Sequence, residues 1–281
     1  MSKRLSAAQV ADYERDGFVC PVPVLSTAEA QAARAELEAW EAARGAPIDF
    51  PEKSKSYLLF NWADQLAHHP RILDAVEDLI GPDILVYHST LFLKEAHSAA
   101  FVRWHQDSTY FYLAPHLHVT AWVALSDASE AAGCMRALPG SHRWGNFAHD
   151  DKPEPMNMIR RGQGISERFD AETGYALPLR AGEMSLHHTD LVHASGANDT
   201  DDRRIGLAIS YIPARVRPTG AVQPHALRVR GRDLGHFQPE HRLREALSEP
   251  DRLQHQQALA AFRALQDAGF ASSTTATLST P

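Results

Sequence analysis

Apolar and polar positions change rhythm twice along the chain, marking helices, then strands, then helix again. Ser6-Ala7-Ala8-Gln9 has the form of a capping box, with Leu5 and Val10 spaced as a hydrophobic staple. Gly17 is placed to end that short helix. Ser26-Thr27-Ala28-Glu29 repeats the signal and opens an Ala/Glu-rich helix to about Arg44, stopped by Gly45 and Pro47. A third helix is predicted over Pro70 to Ile80, ended by Gly81-Pro82. Ile84 to Glu95 is rich in β-branched and aromatic residues and reads as a strand. Val119 to Leu125 and Arg204 to Ile212 are short apolar runs read the same way. Trp144 to Arg180 is polar, contains Gly162, Gly164 and several prolines, and reads as a long insertion or lid. Helical periodicity returns over Pro239 to Gly269, and the Ser/Thr-rich stretch Ser272 to Pro281 is expected to be a disordered tail. The simplest architecture is one domain over residues 1–271, with no internal repeat. It has N-terminal helices in 6–80, an antiparallel β core at about 84–215 carrying the lid 144–180, and a helical segment at 239–269.

Composition narrows the function. At 281 residues, with 44% hydrophobic and 22% charged positions, the chain can bury a sizeable core. Its formal net charge of -7 argues against a nucleic-acid or anionic-membrane partner, although a local basic pocket can still take a small anion. No apolar run approaches the length of a membrane span, and the first residues carry charges where a signal peptide needs an apolar stretch. The two cysteines, Cys20 and Cys134, show no metal-ligand spacing and suggest no disulfide framework, so a cytoplasmic protein is expected. The sixteen histidines exceed what a core usually needs and direct attention to metal chemistry.

Trp104-His105-Gln106-Asp107 supplies an H-x-D pair. If it lies on a strand, His105 and Asp107 point to one face and offer a nitrogen and a carboxylate oxygen to one ion. A third ligand must then come from another strand, and Leu191-Val192-His193-Ala194-Ser195-Gly196 offers His193. Two imidazoles and one carboxylate on one face of an ion leave three adjacent positions open, the facial arrangement used by iron(II) oxygenases. H-x-D alone is common by chance, so its surroundings matter. After His193 comes the polar turn Asn198-Asp199-Thr200-Asp201-Asp202 and then a strand beginning at Arg204. A hairpin would return Arg204 beside His193 on the neighbouring strand. Gly206, Ala208 and Ser210 would share its face and leave space, while Ile205, Leu207, Ile209 and Tyr211 pack on the other. A buried guanidinium there would bind a carboxylate bidentately, with Ser195 donating a second hydrogen bond. A metal beside a carboxylate clamp is what 2-oxoglutarate requires, since its 2-oxo acid end chelates iron and its far carboxylate needs a cation.

These motifs appear in order with others: Tyr13-Glu14-Arg15-Asp16-Gly17-Phe18, Gly133-Cys134-Met135, Leu138-Pro139-Gly140-Ser141-His142 and Gly182-Glu183-Met184. Together they resemble the phytanoyl-CoA dioxygenase family of Fe(II)/2-oxoglutarate-dependent oxygenases, over most of the chain to Pro213. The resemblance implies a mainly β fold with flanking helices, a double-stranded β-helix or jelly-roll barrel with iron at its open end. It implies His105, Asp107 and His193 as metal ligands, and Arg204 and Ser195 at the 2-oxoglutarate carboxylate. Trp122 matches a family tryptophan lining the co-substrate pocket. Lys94 stands where the family often has a basic co-substrate contact, against the competing reading of a solvated strand-end lysine. The implied reaction consumes O2 and 2-oxoglutarate, releases succinate and CO2, and hydroxylates a C–H bond of a small polar or anionic metabolite or natural-product intermediate. Related halogenases carry Gly or Ala at the carboxylate position, so Asp107 favours hydroxylation. Desaturation, epoxidation and cyclisation stay open as outcomes of the same centre.

Two other classes compete: a binding module with a degenerate or zinc-filled site, and a zinc hydrolase. Neither gives Arg204 and Ser195 a task, and iron dependence with succinate release separates them from the oxygenase. Pro139-Gly140-Ser141-His142 reads as a turn at the barrel rim rather than a Ser-His pair. His187 and His188 are set aside as ligands, and His116 and His118 are expected in a loop or facing outward. Arg103, Arg136, Arg160 and Arg161 are salt-bridged surface residues by default, any of which would anchor an acidic substrate if it faced inward. Tyr110, Phe111 and Tyr112 are expected to pack, one of them walling the pocket.

Overall fold

The computed structural model describes residues 3–150, 152, 154–159, 164–166 and 169–277. Strands and helices are numbered in chain order. Seven strands form the larger sheet, in the order β1 (Phe18–Pro23), β10 (Glu183–His188), β5 (Val119–Ala124), β12 (Arg204–Pro213), β2 (Ile84–Lys94), β14 (His225–Arg230) and β15 (Gln238–Glu240). Its pairings are antiparallel except for β14 with β15. The smaller sheet runs β3 (Val102–His105), β11 (His193–Ser195), β6 (Met135–Ala137) and β9 (Tyr175–Leu177). Short ribbons pair β4 (Leu113–Ala114) with β13 (Arg217–Pro218), and β7 (His149–Asp150) with β8 (Gly164–Ile165). The two main sheets face each other as the expected double-stranded β-helix.

The helices are α1 (Ala7–Asp16), α2 (Thr27–Arg44), α3 (Asn61–Ala67), α4 (Pro70–Ile80), the single turn α5 (Ser108–Phe111) and α6 (Glu249–Thr277). Both expected capping boxes form: Ser6 with Gln9, and Ser26 with Glu29. Gly17 and Gly45 end their helices in the left-handed conformation that glycine adopts without strain.

Strand alternation decides where the core lies. Ile205, Leu207, Ile209 and Tyr211 of β12 join Val119, Ala121 and Val123 of β5 against Leu37 of α2, Trp62 of α3 and Ile72 and Val76 of α4. Each large apolar side chain removed from water this way contributes on the order of 1.5–3 kcal/mol. The residues between them turn to the barrel interior. There the register sets Arg204 opposite Lys94, Gly206 opposite Phe92, Ala208 opposite Thr90 and Ser210 opposite His88. The expected split of β12 into a packing face and a spacious face is therefore present.

Other expectations change. β1 was not legible because prolines at positions 21 and 23 suppress a strand reading, yet they are tolerated on this sheet-edge strand. The C-terminal helix starts at Glu249 rather than Pro239, because Gln238–Glu240 adds a strand beside β14. Its backbone continues through Ser272 to Thr277, where no proline intervenes; residues 278–281 lie outside the described residues. Arg204 does not neighbour His193 on a hairpin: β11 lies in the smaller sheet and β12 in the larger, so the two residues meet across the barrel. Asn198 holds the crossing turn, its side-chain amide donating to the carbonyls of Glu95 and Asp202 at 2.9 and 2.8 Å.

Candidate metal centre and its two chambers

β3 and β11 lie side by side with His105 opposite His193. Each ring donates Nδ1–H to the carbonyl two residues earlier, His105 to Arg103 at 2.8 Å and His193 to Leu191 at 2.9 Å. Those bonds fix the tautomer and turn both Nε2 atoms toward a common point. Asp107 reaches that point differently from the expected strand geometry. β3 ends at His105, and Asp107 is already helical as the residue before α5, so a turn brings the carboxylate back. Asp107 Oδ1 lies 3.4 Å from His105 Nε2 and 3.8 Å from His193 Nε2. One ligand atom from each of the three residues lies within 4.8 Å of the others, the only such group among the described residues.

Gln106, the middle residue of H-x-D, is fully buried and clamps the turn. Its side-chain amide donates to Gly145 and Asp190 carbonyls at 2.9 and 2.8 Å, and its oxygen accepts from Phe147 N–H at 2.8 Å. One residue thus ties the metal turn both to the base of the lid and to the loop leading into His193.

Two neighbours of Asp107 escaped sequence reasoning. Thr120 donates to Asp107 Oδ2 at 3.1 Å, and His187 Nε2 lies 3.5 Å from the same oxygen. Both contacts engage Oδ2 and leave Oδ1 facing the histidines. The signal was present: in β10, Ser185 and His187 alternate with core Met184 and Leu186, placing a histidine inside the barrel. Burial opposes ionisation of Asp107, but the imidazoles of His105 and His187 and the nearby His193 hold its pKa well below the usual carboxylate range. Burial, with His105 beside it, keeps His193 neutral and so suited to bind a cation.

Two chambers meet at these residues, sharing Phe92, His105, Asp107, Thr120 and Ala208. The smaller, about 420 Å³, is also lined by Trp122, Met135, His187, His193, Ser195 and Arg204. Arg204 is 2% exposed, and its Nε and Nη2 have no hydrogen-bond partner among the described residues. Burial pushes its pKa down to about 10, so it stays charged at neutral pH. Its guanidinium carbon lies 5.2 Å from the Trp122 ring centroid. Gly206 is required beneath it, because a Cβ there would fall 1.9 Å from the Trp122 ring. Lys94 is 1% exposed, so it is no solvated strand end. Its Nζ donates to Ser195 Oγ at 2.9 Å and to the Gly196 carbonyl. Burial, then the charge of Arg204, pushes the Lys94 pKa down to about 6. A buried guanidinium with two unsatisfied nitrogens, beside an amine that an anion would help to protonate, makes a site that an anion would complete.

The larger chamber, about 1040 Å³, lies between the barrel, the 50–54 segment, α6 and lid residues Met158 and Ile159. Tyr110 and Phe111 line it, as the position after the metal motif suggested; Tyr112 does not.

The remaining candidates fall elsewhere. Arg103 pairs with Asp150 at 2.7 Å in the lid, and Arg136 donates to the Gly174 carbonyl at 3.0 Å; neither lines either chamber. Arg160 and Arg161 lie outside the described residues. His116 and His118 lie in the loop before β5, as expected, but His118 is 2% exposed there and burial pushes its pKa down to about 3; half-buried His116 pairs with Asp190 at 2.9 Å. Ser141 sits at a turn and accepts from Val192 N–H at 2.9 Å, a structural use of that hydroxyl. Cys20 and Cys134 are both free thiols.

The family model described as phytanoyl-CoA dioxygenase (PhyH) matches residues 13–206, more than half of the chain, and takes in every residue just described at the smaller chamber except Ala208. The chain belongs to that family. A probable alpha-ketoglutarate-dependent hypophosphite dioxygenase of Stutzerimonas stutzeri is 32% identical over 167 residues, 58% of this chain and 57% of its own. Ectoine dioxygenase of Halomonas elongata is 27% identical over 246 residues, 79% of this chain and 73% of its own. The chain spans about half the length of the first curated relatives it matches. A solved structure titled non-heme monooxygenase, ThoJ apo, superposes with a TM-score of 0.84 at 36% identity, covering 94% of this chain and 99% of that one. Among the described residues, no helix is long and apolar enough to cross a membrane.

Proposed function

We propose that this PhyH-family protein is an Fe(II)- and 2-oxoglutarate-dependent dioxygenase that hydroxylates a C–H bond of a small molecule. One observation carries the reading: the His105–Asp107–His193 group and the unsatisfied Arg204 guanidinium line the same small cavity. The donor set, two imidazoles and one carboxylate, fits iron(II) with open positions for co-substrate and O2. When bound, the iron would supply oxygen activation coupled to conversion of 2-oxoglutarate to succinate and CO2.

The protein's own residues supply placement. His105 and His193 present fixed nitrogens, while Thr120 donates to the far oxygen of Asp107, with His187 Nε2 3.5 Å from it, favouring attachment through one oxygen. Arg204 takes the distal carboxylate as a fork, backed by Trp122. Ser195 accepts from Lys94, which leaves its hydroxyl hydrogen for the same carboxylate. Because Asp107 retains its carboxylate, no metal position is surrendered to halide, which supports hydroxylation over halogenation.

Iron-loaded protein supplied with 2-oxoglutarate and O2 is expected to release succinate, with Arg204→Ala raising the KM for 2-oxoglutarate. Absence of succinate from folded, iron-loaded protein contradicts the reading and favours the binding-module alternative. A product heavier by one oxygen that carries a new hydroxyl supports hydroxylation; one oxygen added without a hydroxyl would mean epoxidation, and loss of two hydrogens desaturation or ring closure.

A further inference from the structure

Outside the metal group, the charged residues in the described lining of the larger chamber are both cations. Among its lining residues, Asp107 belongs to the metal group, and the other full charges are Lys53 and Arg263. Arg263, on α6, is exposed, and its guanidinium carbon sits 4.0 Å over the Phe50 ring. No carboxylate among the described residues lies within ion-pair distance of it. Lys53 meets Asp49 at 2.8 Å, but that Asp49 side chain is 73% exposed, so the pair is screened by water and easily exchanged. On a chain of net charge -7, two cations on one rim create a local field that draws anions.

Deeper in, the wall changes character. His88 is 6% exposed, and its Nδ1 has no hydrogen-bond partner among the described residues. Its ring stacks on Phe262 with centroids 4.3 Å apart and planes at 23°. Burial, with Lys55 nearby, holds the His88 pKa well below the usual range, so the ring is neutral and offers one donor and one acceptor. Phe92, Phe111 and Leu259 add apolar surface. The chamber thus combines a cationic rim, an apolar and aromatic wall, and one unsatisfied imidazole, and it ends at the metal group.

We propose that this chamber selects an organic acid with an aryl or alkyl body. Its acid group meets Arg263 and Lys53, its body lies along Phe262 and His88, and its reactive C–H end faces His105 and Asp107. This assignment rests on the dioxygenase reading only for the meaning of that last contact; acid binding itself needs neither metal nor 2-oxoglutarate.

The test uses metal-free, full-length protein and ligand-observed NMR titration with hydrocinnamate, indolepropionate and octanoate, each beside its neutral amide. At least one acid is expected to bind about tenfold tighter than its amide, as one charge-assisted contact implies. In the Lys53→Met/Arg263→Gln double variant the acid should fall to the level of the amide, while Arg263→Lys keeps part of the preference. Both side chains lie at the rim, so the double variant is expected to keep the wild-type unfolding midpoint. No preference for any acid over its amide, or a preference that survives in the double variant, overturns the proposal. Acid binding that vanishes in Arg204→Ala and persists in the double variant would place the acid in the smaller chamber and overturn it equally. Succinate release is measured separately, so failure of one reading leaves the other readable.

Discussion

The two chambers share the metal group yet are built in opposite ways. The smaller is walled by strands of both sheets, and its basic residues, Arg204 on the wall and Lys94 behind Ser195, are almost completely buried and set opposite each other by strand register. The larger borrows much of its wall from the 50–54 segment, α6 and the lid, and its cations sit at the rim. Strand register fixes a side chain within a rigid lattice, whereas appended segments can change without disturbing that lattice. The difference teaches where constancy and variation belong: the barrel holds the parts suited to metal and co-substrate, and the additions shape what else is admitted.

The largest effect that would sharpen this contrast comes from the shared group. Asp107→Ala and His193→Ala should each abolish stoichiometric iron(II) binding, read by equilibrium dialysis, while leaving the fold intact by circular dichroism. Next is Arg204→Ala, which removes the only guanidinium among the described residues lining the smaller chamber. Its 2-oxoglutarate affinity should fall by about 10²-fold with iron(II) binding kept, as expected when one side of a buried charged contact is truncated. An equal loss of iron(II) would show the two functions are not separable. A smaller change is expected for Thr120→Val and His187→Leu, which free Asp107 Oδ2: iron(II) affinity should drop by roughly 10-fold, at the low end for residues that orient a ligand.

The mildest effect is in pH dependence. Burial and the Arg204 charge push the Lys94 pKa down to about 6. An arriving dianion favours the protonated amine, so binding takes up a proton above that pH and affinity falls as pH rises from about 6. Calorimetric titration of 2-oxoglutarate across pH should show this slope, and Lys94→Met should flatten it. A slope unchanged by Lys94→Met would mean that another group carries the proton.

Much of this arrangement was legible because it obeys local rules. The capping boxes, the α4 boundaries and the β12 alternation follow from spacing alone, and the family motifs pointed to the triad, Arg204, Ser195, Trp122 and Lys94. What was hidden depends on contacts distant in sequence. Asp107 reaches the centre through a turn that H-x-D does not reveal, and Thr120 joins it from β5. Arg204 arrives from the opposite sheet, a fact set by topology rather than by its distance along the chain from His193. The wall that α6 gives the larger chamber requires knowing where that helix docks.

The central claim is that one cavity holds both the metal and the 2-oxoglutarate clamp. Its most direct test is anaerobic titration of metal-free protein with iron(II) and 2-oxoglutarate, following the weak visible charge-transfer band of the chelate. The account predicts a band in the wild type that is absent in His193→Ala and needs far more 2-oxoglutarate in Arg204→Ala. No band in folded, iron-loaded wild-type protein, or a band indifferent to Arg204, would contradict it.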